Sequence, residues 1–467
     1  MMSKQGKIIF INIGKFTSND PIMTPPMGIC YLAAVMRKSG FKNVHILDMK
    51  IKKMNPQEIT EVIKKENPAI VGLSAMTYNA GLMLEVANKI KQTLPDVKLI
   101  VGGAHATIHY DSLALEPSID LVAVGETEGT IENIVKVLLN NGNLSQIKGI
   151  AFAREGKVIF TGSPAFMENL DSLPYPAFDL LDLKKYFKTR NMSTLGPLRY
   201  LPIFTSRGCP YQCAYCHHVF GKKFRGRSPD NVIDEIKYMQ KNFNIHQFLI
   251  YDDTFNFERK RMHEILDSIV EQKLNISFSF PNALRGDILN EEDVKKLKAA
   301  GVNLVTVAVE TASARIQKLI KKNLDLKKIV ESINLLNKYK ILIQAFFMLG
   351  FPTETEEEVK MTIDFAVKSQ LHLANFFIVV PFERTGLWDL AKKYSKLPAE
   401  QYYEVDYWLH DFNLSTVATK RLHQLQKLAY RKFFLDIKRI VRIIIRFPYK
   451  LNMFWYSYVA LKRLFRF

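Results

Sequence analysis

The sequence predicts an α/β protein with two parallel-sheet domains in series and a helical C-terminal region. Three observations predict it. Residues 1–140 alternate short apolar runs with amphipathic stretches of helical length. The alternation resumes near Tyr200 and runs through six further repeats. After Arg384 the pattern becomes helical and aromatic. Strand–helix alternation with short loops builds parallel sheets covered by helices, and ligands then bind at the C-terminal strand ends.

Domain by domain, residues 1–140 read as a doubly wound sheet. Strands are expected at Lys7–Ile13, Val44–Leu47, Ala69–Ser74, Lys98–Val101 and Asp120–Val124, with helices at Gly28–Ser39, Pro56–Glu66, Ala80–Leu94 and Thr130–Asn140. Residues 141–200 read as a connector. Its Gly149–Val158 stretch turns at Glu155-Gly156, as a hairpin does, and a Pro-punctuated run follows. Residues 201–385 supply strand candidates at Leu201–Thr205, Gln247–Tyr251, Ser277–Phe280, Leu304–Val309, Leu342–Phe347 and Asn375–Val379. Six βα repeats fit an incomplete (β/α)6 barrel. Residues 386–467 form the helical C-terminal region.

Composition narrows the class. The chain has 467 residues, 48% of them hydrophobic, so large cores can form. Its four cysteines are Cys30 alone and Cys209, Cys213 and Cys216 within eight residues. That spacing suits a metal or redox site in a reducing cytoplasm, not a secreted disulfide framework. No signal peptide is expected from MMSKQGKIIFINIGKF, and no apolar run reaches the roughly 18 residues of a membrane span. Net charge is +19, and from Ile437 to Phe467 there are eight Lys or Arg and no Asp or Glu. Basic, apolar and aromatic residues in helical alternation favour an anionic membrane surface, with Trp455, Tyr456 and Tyr458 at headgroup level. A helix closing the barrel edge explains the same pattern. Nucleic acid is not expected, because no recognition module accompanies the charge.

The chemistry concentrates in Ser206-Arg207-Gly208-Cys209-Pro210-Tyr211-Gln212-Cys213-Ala214-Tyr215-Cys216, a C-x3-C-x2-C loop directly after the first barrel strand. Thiolates hold iron–sulfur clusters. Three on one loop can ligate three irons of a cubane and leave the fourth open to an amine and a carboxylate, which S-adenosylmethionine (SAM) offers. The competing reading is a structural zinc site with His217 or His218 as fourth ligand.

This loop, with an aromatic before its last cysteine, resembles the radical SAM superfamily signature. YDDTF (Tyr251–Phe255), VETASARIQKLIKKN (Val309–Asn323) and FMLGFPTETEEEV (Phe347–Val359) resemble segments of its cobalamin-dependent subgroup. The resemblance spans about residues 7–385. It implies a 4Fe–4S cluster on Cys209, Cys213 and Cys216, and SAM contacts from Tyr215, Asp252, Asp253, Arg285, Glu310 and Gly350. It further implies a cobalamin-binding N-terminal domain. VGLSAMT, VGGAHAT and VGETEGT place Ser74, Gly102 and Gly103 at that site, where small residues admit the corrin and its tail. The family's axial-histidine segment is absent after the first strand, where the chain reads GKFTSNDPIMTPPMG, and His105 is the nearest alternative.

The function the resemblance implies is cobalamin-dependent methylation of an unactivated carbon through a 5′-deoxyadenosyl radical. The partners would be a flavodoxin- or ferredoxin-type electron donor and a small-molecule or lipid substrate. The rivals are an oxidative cyclase or related radical modification without methyl transfer, and a non-catalytic cobalamin- or zinc-binding regulator. The location expected is the cytoplasm, with peripheral attachment to the membrane through the tail.

Overall fold

The computed structural model describes residues 6–16, 23–163, 165–189, 199–217, 219–394 and 413–447. They divide into two compact units. One holds residues 6–189 with Val219–Gly221, and the other holds residues 199–217, 222–394 and 413–447.

In the first unit, β1 (Ile8–Asn12), β2 (Val44–Asp48), β3 (Ile70–Ser74), β4 (Lys98–Gly102) and β5 (Leu121–Ala123) pair in parallel in the order β2-β1-β3-β4-β5. Side chains alternate between two cores. Ile9, Ile11, Val71, Leu73, Leu99 and Val101 face one, against the helices Pro56–Glu66 and Ala80–Thr93. Ile8, Phe10, Ile70 and Ile100 face the other, against Met27–Lys38 and Ile131–Leu139. Both faces are therefore buried, which is why the inner strands β1, β3 and β4 are apolar through most of their length. Gly72 is required on the second face, because a Cβ there would lie 2.6 Å from the Phe10 ring.

The hairpin of the expected connector is part of this sheet. β6 (Ile150–Arg154) and β7 (Lys157–Phe160) form the hairpin, and β6 pairs antiparallel with β5, so the sheet has seven strands. The turn chemistry showed the hairpin. Its pairing with a strand some thirty residues earlier is non-local and left no local signal.

The second unit carries β8 (Leu201–Ile203), the short ribbon β9 (Ser206–Arg207) with β10 (Arg225–Gly226), and then β11 (Gln247–Ile250), β12 (Ser277–Ser279), β13 (Val302–Glu310), β14 (Leu342–Leu349) and β15 (Leu373–Ile378). Apart from the ribbon, the strands form one parallel sheet in sequential order from β8 to β15, the topology of an incomplete barrel. All C-terminal strand ends lie at one rim. The helix Leu326–Lys338 starts after Asp325, whose side chain accepts from the N–H groups of Lys327 and Lys328. Thr419–Phe434 and Ile437–Arg446 follow as the C-terminal helices. No helix among the described residues is long and apolar enough to cross a membrane. Trp455, Tyr456 and Tyr458 lie outside the described residues, as does His218.

Candidate active site

The cysteine loop leaves β8 at the rim and is held from three directions. Asp253, just after β11, accepts the Gly208 N–H at 3.0 Å. The Ala214 N–H donates to the Ile320 carbonyl at 2.8 Å, and its own carbonyl accepts the Leu387 N–H at 2.7 Å. Gly386 packs so closely on Ala214 that a Cβ there would be 3.3 Å from the Ala214 methyl. Cys213 is buried, Cys209 half-buried and Cys216 exposed. Desolvation raises the Cys209 thiol. Cys216 keeps an open side, yet it is pushed up to about 12 by desolvation and next by Cys213. Neighbouring thiolates repel one another, and an iron–sulfur cluster is the kind of cation that relieves them. Among the described residues no three His, Cys, Asp or Glu side chains stand as a ready metal-ion site. The fit rests on the donor set and the fixed backbone.

The expected SAM residues fall into two groups. Tyr215, Glu310 and Gly350 gather at the rim. The Tyr215 hydroxyl donates to Glu310 Oε1 at 3.0 Å, and its ring lies 6.5 Å from that of Phe351, the neighbour of Gly350. Glu310 ends β13 with φ +66 at a register shift, a strained conformation for a residue with a side chain. Gly350 has φ +94, and its N–H and that of Phe351 both donate to the buried Glu354. Asp253 belongs with this group through Gly208, its carboxyl raised to about 6 by desolvation above all.

Asp252 and Arg285 are differently used. Asp252 is buried and accepts from the Thr205 N–H, the Thr205 hydroxyl and the Ser206 hydroxyl, so it braces the start of the loop. Arg285, expected to contact SAM, forks onto Asp287 at 2.9 and 3.1 Å and lies 3.9 Å from the centre of the Tyr211 ring. Asp287 thus gives the guanidinium an anionic partner within the chain.

One residue had escaped the sequence reading. Lys322 brings a mostly buried ammonium 3.5 Å from Glu310 Oε1 and 5.7 Å from the centre of the Tyr215 ring. Lys318, Lys321 and Lys322 look alike in sequence, and only the fold turns the last one inward.

In the first unit Ser74, Gly102 and Gly103 converge at the ends of β3 and β4, beside the point where the strand order reverses. Gly103 has φ +88, and a Cβ there would lie 2.6 Å from Ser74 Oγ. Thr107 ties this turn to the next loop, donating to the Gly103 carbonyl and accepting the Gly125 N–H. Small residues and close backbones at a switch point fit a large flat ligand. His105 is 1% exposed, its ring 4.5 Å from that of His109, and burial lowers it to about 3, so it is a neutral core histidine.

A doubly wound sheet with glycines beside its switch point, and a barrel bearing three cysteines at its rim, define a cofactor-dependent enzyme of two modules. Residues 203–366 match the radical SAM superfamily and residues 21–135 the B12 binding domain. An uncharacterized methyltransferase of Pyrococcus horikoshii is 30% identical over 90% of this chain and 90% of its own. The anaerobic magnesium-protoporphyrin IX monomethyl ester cyclase of Rubrivivax gelatinosus is 27% identical over 81% of this chain and 68% of its own. A solved structure of the radical SAM methyltransferase TsrM from Kitasatospora setae, with cobalamin and a [4Fe-4S] cluster, superposes with a TM-score of 0.70 over 84% of this chain and 75% of that one, at 16% identity. The chain belongs to the cobalamin-binding branch of the radical SAM superfamily and is an enzyme using a 4Fe–4S cluster, SAM and cobalamin.

Proposed function

We propose that the protein transfers a methyl group to a carbon of its substrate. The observation that carries this reading is one chain holding both a rim loop of three cysteines and a glycine turn beside the sheet's switch point, at 30% identity to a methyltransferase across nearly its whole length. When bound, the cluster and SAM supply radical chemistry and cobalamin supplies the methyl group.

The residues have distinct tasks in this reading. Cys209, Cys213 and Cys216 hold the cluster. Glu310 and Lys322 present opposite charges to the amine and carboxylate of the methionine end of SAM. Tyr215 fixes the Glu310 carboxylate. The Gly350 turn, clamped by Glu354, brings backbone to the adenine. Asp252, Asp253 and Arg285 position the loop. Ser74, Gly102 and Gly103 accept cobalamin, with no histidine from the first loop and none from the buried His105.

A flavodoxin- or ferredoxin-type donor supplies electrons in the cytoplasm, and the basic C-terminal residues attach the protein peripherally to an anionic membrane. The test is anaerobic reconstitution with reductant and SAM labelled in its methyl group, followed by mass spectrometry of product from candidate substrates. Label in the product supports the proposal. SAM cleavage with product formation but no label moves the protein to the cyclase-like reaction.

A further inference from the structure

The helix Ile437–Arg446 is inside out. At 100° per residue, Arg439, Arg442, Ile443 and Arg446 share one arc, and Ile437, Ile440, Val441, Ile444 and Ile445 share the opposite one. An ordinary surface helix would turn the second arc to the core. Here Arg439 is 1% exposed, whereas Ile437 is 75%, Ile440 38% and Val441 48% exposed, and Leu435 just before them is 61% exposed.

The arginines fix this orientation. Arg439 donates to the carbonyls of Val367 at 2.8 Å and Ser369 at 3.1 Å, which end the helix Glu356–Lys368. It also donates to Phe433 at 2.7 Å, near the end of Thr419–Phe434, and to Leu371 at 2.9 Å. Arg446 donates to the Asn337 carbonyl at 2.9 Å, near the end of Leu326–Lys338. The C-termini of three helices, each the negative end of its dipole, thus meet the guanidinium groups of one short helix. Rotating the helix to bury its isoleucines would strip these carbonyls of their donors.

The same contacts give the location. Asn337 precedes β14, and Ser369 and Leu371 precede β15, so the helix lies at the N-terminal ends of the strands. The cysteine loop, Glu310 and Gly350 leave the C-terminal ends of the same parallel sheet. The apolar ridge and the cysteine rim are at opposite ends of the barrel.

We propose that the barrel docks on an anionic lipid surface by this ridge, with its cysteine rim turned away from the bilayer. The inference rests on the peripheral membrane reading given above and adds to it a face and an orientation. Charge selects lipid over an apolar protein partner. Arg431, Lys432 and Lys438 are exposed around the ridge, Asp436 is the single acid among residues 431–447, and the remaining residues to Phe467 add four Lys or Arg and no acid. An apolar ridge flanked by cations is the pattern of interfacial helices. The orientation means that substrate and electron donor reach the rim from the aqueous side. A substrate embedded in the membrane would have to leave the bilayer to react.

The test uses the full-length holoprotein with vesicles of phosphatidylcholine, alone or mixed with phosphatidylglycerol. Expected are co-sedimentation with the anionic vesicles only, and slowed amide exchange in residues 428–445 with none in Ser206–Cys216 or Phe347–Thr355. The double variant Ile437→Asp/Val441→Asp, altered at exposed positions, should lower vesicle partition about tenfold with iron content and melting unchanged. Protection centred on the cysteine loop would overturn the orientation. Full binding by the double variant, lost instead in a chain ending at Phe447, would overturn the ridge while leaving the membrane reading intact. Failure of the parent to bind any vesicle would overturn both. A solution dimer that the double variant dissociates, without vesicle binding, would assign the ridge to a second copy and overturn the lipid proposal.

Discussion

The Tyr215 hydroxyl donates to Glu310 Oε1 at 3.0 Å, and this bond joins the cysteine loop to the strained end of β13. Tyr215 lies between two of the cysteines in sequence, so the position of the Glu310 carboxylate and the path of the loop are set together. Each cofactor contact proposed for one element therefore depends on the other.

Tyr215→Phe should separate holding the cluster from holding SAM. The thiols are untouched, so iron content after reconstitution should equal the parent's. Glu310 loses a donor to a charged acceptor, an interaction of about 2 kcal/mol. SAM affinity by calorimetry should fall about tenfold. Equal affinity would show that Glu310 is placed by Lys322 alone.

The triple variant Cys209→Ala, Cys213→Ala, Cys216→Ala should lose its iron–sulfur absorption and EPR signal and form no 5′-deoxyadenosine. Cys30 cannot substitute, because it is buried in the core of the other unit. SAM cleavage by this variant would refute the assignment of the cluster.

Much of the fold was legible because its signals are local. Pro56–Glu66 begins and ends where expected, since Asn55 and Glu58 form a capping box ahead of an apolar stripe. The cysteine loop was equally plain, because its three ligand candidates lie within eight residues. Most of what stayed hidden depends on residues distant in sequence. The pairing of Arg285 with Asp287 was not readable, because sequence proximity alone does not show that the two side chains fold together. Lys322 was one lysine among three. Counting the charges of the C-terminal helix showed that it is basic, but not that Arg439 faces inward, because its partners are backbone carbonyls on other helices.

Gly103→Ala should damage the proposed cobalamin site in two ways. An alanine at φ +88 costs about 1–2 kcal/mol. Its methyl would also stand 2.6 Å from Ser74 Oγ and displace it. Thermal melting should show the loss of stability, and cobalamin retained after desalting should fall with it. Adding Ser74→Ala should recover part of the stability by relieving the contact, and leave the backbone cost in place.

Glu354 gives a pH dependence of defined sign. Burial raises its carboxyl from 4.5 to about 7, against two backbone N–H bonds that favour the charged form. The folded state therefore holds a proton that the unfolded chain has released above about pH 4.5. The resulting stability is complete below that pH and is lost as pH rises through about 7, up to about 3 kcal/mol in all. Glu354→Gln keeps an acceptor for the Gly350 and Phe351 N–H groups and cannot ionise. Relative to the parent it should gain stability between pH 5 and pH 8 in urea melts, and a constant difference across that range would show that Glu354 is not the titrating group.

Arg439 anchors the C-terminal helix by geometry as well as charge. Its planar fork reaches the carbonyls of Val367, Ser369, Phe433 and Leu371 at once, and its guanidinium carbon lies 3.6 Å from the centre of the Phe433 ring. Arg439→Met would keep an apolar stem and leave these buried acceptors without their donor, at a cost of about 3 kcal/mol. Arg439→Lys restores the charge but not the fork or the stacking, so it should recover less than half of that loss. The measurement is the urea midpoint of the parent and both variants. If lysine rescues fully, the helix is held at Arg439 by charge at the two helix ends it meets, and the inward orientation of this arginine does not depend on the guanidinium shape.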